Sequence, residues 1–323
     1  MTLETVLLVA AAMTFAVVSG ANDGATLIAM GLKISFVKPL MAVGLLSVAV
    51  MVGPVLIGTR VATTLANRLT AFEGDAGRSA LLVAVIVALL VVALLSYRGL
   101  PTSLTLALMG GIAGSGVGFR LPVAWDMLAF VLAMGAAAPF VGAIGGFVFS
   151  RFLLGYIPGR GTVATRLLWA HRLAFGLQCL AYSLNDGQKM LAIFALTAGT
   201  TSGVVSARPE QILVIGLLFT LGIFIGIPRF ATSLGQEVML LRPTNAITAE
   251  FSSAAALLGT AALGAPVSMT QSLVAALIGS GVSEGYGRVR WQAASRILLA
   301  WVVTLPAATG VAAAVARVGS ITL

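Results

Sequence analysis

The chain has very little charge. Only 9% of its 323 residues are Asp, Glu, Lys or Arg, against about 25% in soluble domains, and 59% are apolar. An ordinary water-soluble fold is excluded on that balance. Cysteine and histidine are each present once, as Cys179 and His171. A single cysteine can close no intrachain disulfide and build no cysteine-based metal site, so Cys179 is expected to be inert packing. A single histidine leaves little room for histidine-based catalysis. His171 sits in a basic stretch, and a solvated or headgroup-level side chain is expected for it. Acidic residues number 10 against 19 Lys and Arg, a net charge of +9. The basic residues stand singly between apolar stretches instead of clustering on one soluble face, so no nucleic-acid partner is expected.

What is abundant is long apolar sequence. About 190 apolar residues at about 20 per spanning helix correspond to nine or ten spans. Uncharged windows run over 5–22, 39–59, 79–97, 99–119, 127–150, 173–185, 190–207, 211–228, 251–283 and 297–316. Runs such as Leu81 to Leu95 have no period of two, which excludes transmembrane strands. The fold class is an all-α integral membrane protein, multi-pass in the plasma membrane with the lipid bilayer as its solvent. The first apolar stretch lacks the basic start of a secretory leader and reads as a retained helix. No Lys or Arg precedes Lys33, which places the N-terminus outside and the Lys33 and Lys38 loop in the cytoplasm. Arg151, Arg160, Arg166 and Arg172, with no acidic residue among 151–172, mark a second cytoplasmic segment.

The chain also repeats itself. Asn22-Asp23-Gly24 returns 163 residues later as Asn185-Asp186-Gly187, and Pro101-Thr102-Ser103-Leu104-Thr105 returns 165 residues later as Pro266-Val267-Ser268-Met269-Thr270. A weaker match pairs Arg60 to Leu65 with Arg229 to Leu234. Matches in the same order at nearly one spacing divide the chain into a first transmembrane repeat (1–150), a basic cytoplasmic linker (151–166) and a second repeat (167–323). With about five spans per half, the second half enters from the opposite side and the repeats are inverted. The window 190–207 breaks the count, either as a half-helix or as an extra crossing.

Some polar residues stand where lipid disfavours them. Asp23 and Asp186 each end an apolar stretch, and an intramembrane carboxylate costs several kcal/mol unless paired, hydrated or ion-bound. A lone one reads as a helix cap; two related by a repeat, each after an Asn, read as a cation site. Asn22, Asp23, Asn185 and Asp186 offer the hard oxygens that Na⁺ prefers. Pro101 and Pro266 break helices, and Ser103, Thr105, Ser268 and Thr270 follow at new helix starts, where hydroxyls and free N–H groups hold anions. The bland reading of either proline motif is a kink whose hydroxyls satisfy freed backbone. Broken or re-entrant helices are expected at both motif types. The glycines from Gly110 to Gly118, with Gly142 and Gly146, read as close helix packing. Glu250 is a weaker site candidate, expected at the membrane face near Arg242. Lys189, three residues after Asp186, is expected to pair or snorkel.

At these residues the chain resembles the inorganic phosphate transporter family, the PiT group, through Gly20-Ala21-Asn22-Asp23, Asn185-Asp186-Gly187-Gln188-Lys189 and the two proline-serine segments. The stretches Ala249 to Ala255 and Trp301 to Ala307 are also similar to the family. The resemblance implies uptake of inorganic phosphate coupled to Na⁺ or H⁺ by two inverted repeats, usually in a homodimer. Asp23 and Asp186 with their asparagines would bind the cation and help hold the anion, and Ser103, Thr105, Ser268 and Thr270 would contact phosphate. Leu104, Leu106, Met269 and Gln271 depart from the family's Thr-Thr-His pattern, and Tyr182 replaces a histidine.

Those departures keep sulfate open as an alternative substrate. Phosphate near pH 7 retains a proton to donate to a carboxylate, whereas sulfate is fully ionised, which favours phosphate. The expected function is therefore a secondary active transporter working by alternating access. No cofactor beyond the coupling ion is expected. An ion channel is less favoured because the sites are internally paired, and an enzyme is not expected because no intramembrane His, Ser-Lys or Glu-His constellation stands out.

Overall fold

The computed structural model describes residues 2–32, 38–97, 102–156, 163–199, 203–230 and 238–322. The chain as described opens with α1 (Leu3–Ser19), capped by the Thr2 hydroxyl accepting from the Thr5 N–H at 3.3 Å. A π-helical turn over Gly20–Gly24 leads without interruption into α2 (Ala25–Leu32). There follow α3 (Pro39–Ile57), the short α4 (Arg60–Asn67), α5 (Gly74–Tyr97), α6 (Leu104–Gly118) and the 32-residue α7 (Trp125–Tyr156). After it come α8 (Val163–Leu184), α9 (Asp186–Thr197), α10 (Pro209–Phe230), α11 (Pro243–Ala262), α12 (Met269–Glu284) and the 32-residue α13 (Trp291–Thr322). Proline opens α3 and α11 at the first helical turn, where its missing N–H costs nothing.

Among the described residues, six helices are long and apolar enough to cross a membrane. The sequence arithmetic gave nine or ten because it counted apolar residues wherever they fell. The helices α8 and α11 have the length, 22 and 20 residues, but exchange apolar positions for buried polar ones. The helices α6, α9 and α12 have 15, 12 and 16 residues, short of a full crossing at about 1.5 Å per residue. The ambiguous window 190–207 thus contains a half-helix, α9. Exposed apolar rows, such as Leu40, Val48 and Val55 on α3, Leu90 and Leu94 on α5, and Leu217 and Leu221 on α10, form the outer surface that a bilayer would cover. The expected linker is largely helical: α7 runs to Tyr156 and α8 starts at Val163. Arg160, Lys33, Pro101 and the Ala231–Leu234 match lie outside the described residues.

Helix packing repeats with the halves exchanged. Helix α6 packs on α13 and α12 packs on α7; α1 packs on α10 and α8 on α3; α1 lies against α5 and α8 against α11. Isolated bridges tie Thr70 to Val123 and Met239 to Val289 at equivalent places. The glycines set the closeness of these contacts, as expected for Gly110, Gly142 and Gly146. A Cβ on Gly110 would stand 2.6 Å from the Leu305 carbonyl oxygen, and one on Gly114 would collide with the Thr309 carbonyl. On the reciprocal interface, Gly142 lies against the Ser272 carbonyl, and Gly146 and Gly279 pack directly on the Ala276 and Ala143 carbonyls. Such contacts bring backbones together where lipid offers no hydrophobic drive for association.

Replacing Gly114 by leucine should cost about 1–3 kcal/mol or more through overpacking, read as a lower melting temperature of the detergent-purified protein. Gly135→Ala, where a Cβ meets nothing within 4 Å, should leave it unchanged.

Candidate functional site

The two Asn-Asp motifs adopt different local structures. In the first, Asp23 sits in the π turn, 5% exposed, and its Oδ1 accepts the Asn22 side-chain amide at 2.8 Å. The wide turn displaces the ladder of an otherwise continuous helix, a device that recurs at functional positions. The following Thr26 donates its hydroxyl to the Asn22 carbonyl at 2.5 Å. In the second motif the helix breaks outright at Asn185 (φ −114, ψ −77), and α9 starts at Asp186. Expected as broken helices, the motifs are one bulge and one break.

The Asn185 side chain is a clamp. Its Oδ1 accepts the Val267 N–H at 2.9 Å, and its amide donates to the Ala265 carbonyl at 3.1 Å and the Thr260 hydroxyl at 3.3 Å. These bonds hold the extended segment 265–267 that delivers Ser268. Gln188 does the same for the α3–α4 break, donating to the Gly58 carbonyl at 2.7 Å and accepting the Ala62 N–H at 3.0 Å. One turn of α9 therefore fixes two chain breaks.

The proline-serine segments end in matching helix starts. Ser103 caps α6 by accepting the Leu106 N–H at 3.2 Å, and Ser268 caps α12 by accepting the Gln271 N–H at 3.5 Å. The Ser268 and Thr270 hydroxyls lie 3.0 Å apart. The two starts meet: the Thr105 hydroxyl donates to the Val267 carbonyl at 3.3 Å. Lys189 joins them, its ammonium donating to Asp186 Oδ1 at 2.6 Å, to the Thr105 hydroxyl at 2.5 Å and to the Val267 carbonyl at 2.5 Å. The other Asp186 oxygen accepts the Met269 N–H, the first of α12, at 3.2 Å. The first motif packs against Phe219 through Gly20 and Gly24, and the Phe219 ring lies 5.4 Å from that of the buried Tyr182. Asp23, Ser103, Thr105, Asp186, Lys189, Ser268 and Thr270 are all at most 9% exposed. The structure thus gathers Asp186, Lys189, Thr105 and the start of α12 around one buried centre.

Three features of this region escaped the sequence reading. Thr102, buried with a hydroxyl that has no hydrogen-bond partner among the described residues, precedes Ser103. Thr260 and Gln188 are structural partners whose roles depend on distant chain segments. A cavity of about 380 Å³, lined by Gly58, Arg60, Leu184 and Gln188 with Leu258 and Ala261, reaches the residue before Asn185.

Two expectations are corrected. His171 is fully buried instead of solvated, and Glu250 lies beside it instead of at the membrane face: His171 Nε2 is 3.4 Å from Glu250 Oε1. Helix α8 begins eight residues before His171, which falls on the same face as Phe175, Gln178 and Tyr182 and turns inward against α11. Arg242 pairs with Glu284 at 3.1 Å. Cys179 is buried packing.

A helical bundle with interrupted helices, and two helix N-termini converging on buried charges, is the architecture of a polytopic membrane protein. The comparisons narrow this class. The phosphate transporter family model matches residues 19–177 and 160–312. The "Probable low-affinity inorganic phosphate transporter" of Mycobacterium tuberculosis is 32% identical over 319 residues, covering 94% of this chain and 74% of that one. The protein of the same name in Bacillus subtilis is 27% identical over 310 residues, covering 94% and 93%. A solved structure titled "The sodium-dependent phosphate transporter" superposes over 100% of both chains with a TM-score of 0.83 at 18% identity, which establishes the shared fold. The chain belongs to the phosphate transporter family.

The clamp predicts unequal roles for the two asparagines. Asn185→Ala leaves the Val267 N–H, the Ala265 carbonyl and the Thr260 hydroxyl without that partner and should cost about 2–4 kcal/mol. Asn22→Ala, losing one bond to its neighbour, should cost under about 1 kcal/mol. Thermal melting of both variants measures the difference.

Proposed function

We propose that the protein is a secondary active transporter that imports inorganic phosphate across the plasma membrane, coupled to a Na⁺ or H⁺ gradient, by alternating access. The observation that carries this reading is the convergence of the α6 and α12 N-termini on Asp186 and Lys189 inside the bundle. Free N–H groups and the positive ends of two helix dipoles favour an oxyanion there. Ser103, Thr105, Ser268 and Thr270 would donate to its oxygens. Asp23 and Asp186 would accept a phosphate proton, a hydrogen bond that fully ionised sulfate cannot supply. The two Asn-Asp motifs, Asn22 with Asp23 and Asn185 with Asp186, are the candidate cation positions, of which the coupling cation would take one. Arg60, on the wall of the neighbouring cavity, would raise the local anion concentration.

The family and its relatives support phosphate as the substrate; Leu106 and Gln271 keep sulfate as the second reading. The exchanged packing of α6 on α13 and α12 on α7 supports two inverted repeats, 1–150 and 167–323, joined by a cytoplasmic linker. In this reading they rock against each other around the shared centre. The N-terminus would lie outside, and the resemblance to the family favours a homodimer.

Radiolabelled phosphate uptake into proteoliposomes, with Na⁺ and pH gradients imposed separately and sulfate as competitor, tests the reading. Uptake should follow one gradient and resist sulfate; indifference to both gradients rules out coupling. Asp23→Asn should lower coupled uptake at least about tenfold, the effect of about 1.4 kcal/mol. Near-normal uptake with unchanged ion dependence would remove Asp23 from the site.

A further inference from the structure

Lys189 is an ammonium, 2% exposed, in the interior of a membrane protein. Its three N–H donors face three oxygens: one carboxylate (Asp186), one hydroxyl (Thr105) and one backbone carbonyl (Val267). That ligand set, hard oxygens of mixed charge converging on one point, is the kind that holds a small monovalent cation. All three donors are spent on protein oxygens, so none is left over for a substrate oxygen. The lysine does not simply snorkel, because its head lies at the meeting of α6 and α12.

The first repeat lacks this ammonium. At the spacing that relates the Asn-Asp motifs, the counterpart of Lys189 is Thr26, whose short side chain bonds back to the Asn22 carbonyl. The counterpart of Asp186 is Asp23, whose carboxylate accepts the Asn22 amide. At the spacing that relates the proline-serine segments, the counterparts of Thr105 and Val267 are Thr270 and Thr102. The same types of oxygen are thus present in the first repeat without a built-in positive charge.

We propose that the Lys189 ammonium is a tethered cation that permanently fills the second-repeat cation position, leaving the first repeat, at Asp23, as the place where an exchangeable coupling cation binds. The inference rests on the reading of the Asn-Asp motifs as cation sites. It makes the two repeats chemically unequal: one cation is covalent and travels with α9, and one is free. Removing the ammonium while keeping the apolar stem should reopen the second position to a small cation from solution.

The test uses the full-length protein in detergent at pH 8, with N-methylglucamine as the only other cation and constant ionic strength. The melting temperature is followed as NaCl or NH₄Cl replaces N-methylglucamine chloride for the wild type, Lys189→Met and the double variant Asp186→Asn/Lys189→Met. K189M should melt lower than the wild type without Na⁺ or NH₄⁺. Addition of either cation should raise its melting temperature by about 4 °C more than the wild type's. In the double variant, which has no uncompensated carboxylate, that excess should vanish. Equal responses in K189M and the wild type overturn the proposal, as does an excess that persists in the double variant. If K189M is recovered only when Na⁺ or NH₄⁺ is present during purification, the proposal is supported. If it is recovered under none of these conditions, with either cation or without, Lys189 is a packing element and the proposal fails. The readout needs no phosphate movement, so a wild type that carries no phosphate would defeat the transport reading and leave this result standing.

Discussion

In the bundle's interior every charge must find its counter-charge or its hydrogen bonds within the protein, because lipid supplies neither. Much of the central architecture follows from that requirement. Asp186 is balanced by Lys189 and by the first N–H of α12. Lys189 in turn needs oxygens from α6 and from the segment before α12. Satisfying one buried ion pair therefore draws together two helix starts that are far apart in sequence. The anion-favouring geometry and the electrostatic solution of the fold are the same set of atoms.

The second feature of the interior is mechanical. Chain breaks inside a membrane protein expose N–H and C=O groups that must be satisfied locally. Asn185 and Gln188, three residues apart on α9, cover the breaks at 265–267 and at Gly58. A helix of 12 residues is thus a hub: it carries a charge pair on one side and holds two irregular segments in register on others. The short segment Asn185-Asp186-Gly187-Gln188-Lys189 acts as a unit because four of its side chains bind different parts of the chain.

Much of this was legible in the sequence, because its signals are compositional or periodic. Scarce charge gave the membrane class, and Ser103 and Ser268 stand at helix starts as their type and place predict. Glycine spacing on α6 gave its close packing. What could not be read depended on which face of a helix a residue occupies. His171 lies in a basic stretch by sequence, yet it shares a face with Phe175, Gln178 and Tyr182 and pairs with Glu250. A helical-phase reading from Tyr182 backward would have turned it inward. The clamp formed by Asn185 depends on contacts about 80 residues away, and no local pattern announces them. The two identical Asn-Asp motifs also diverge in backbone, one a π turn and one a break, because their neighbours differ.

The exchanged packing has a consequence for the halves as folding units. Helix α6 makes its most extensive packing on α13 and α12 on α7, and α1 lies along α10 while α8 lies along α3. Either half alone would leave its glycine-lined grooves without the helix that fills them. A chain severed between α7 and α8 would therefore yield two fragments that are not autonomous domains but complementary parts, each the other's missing core.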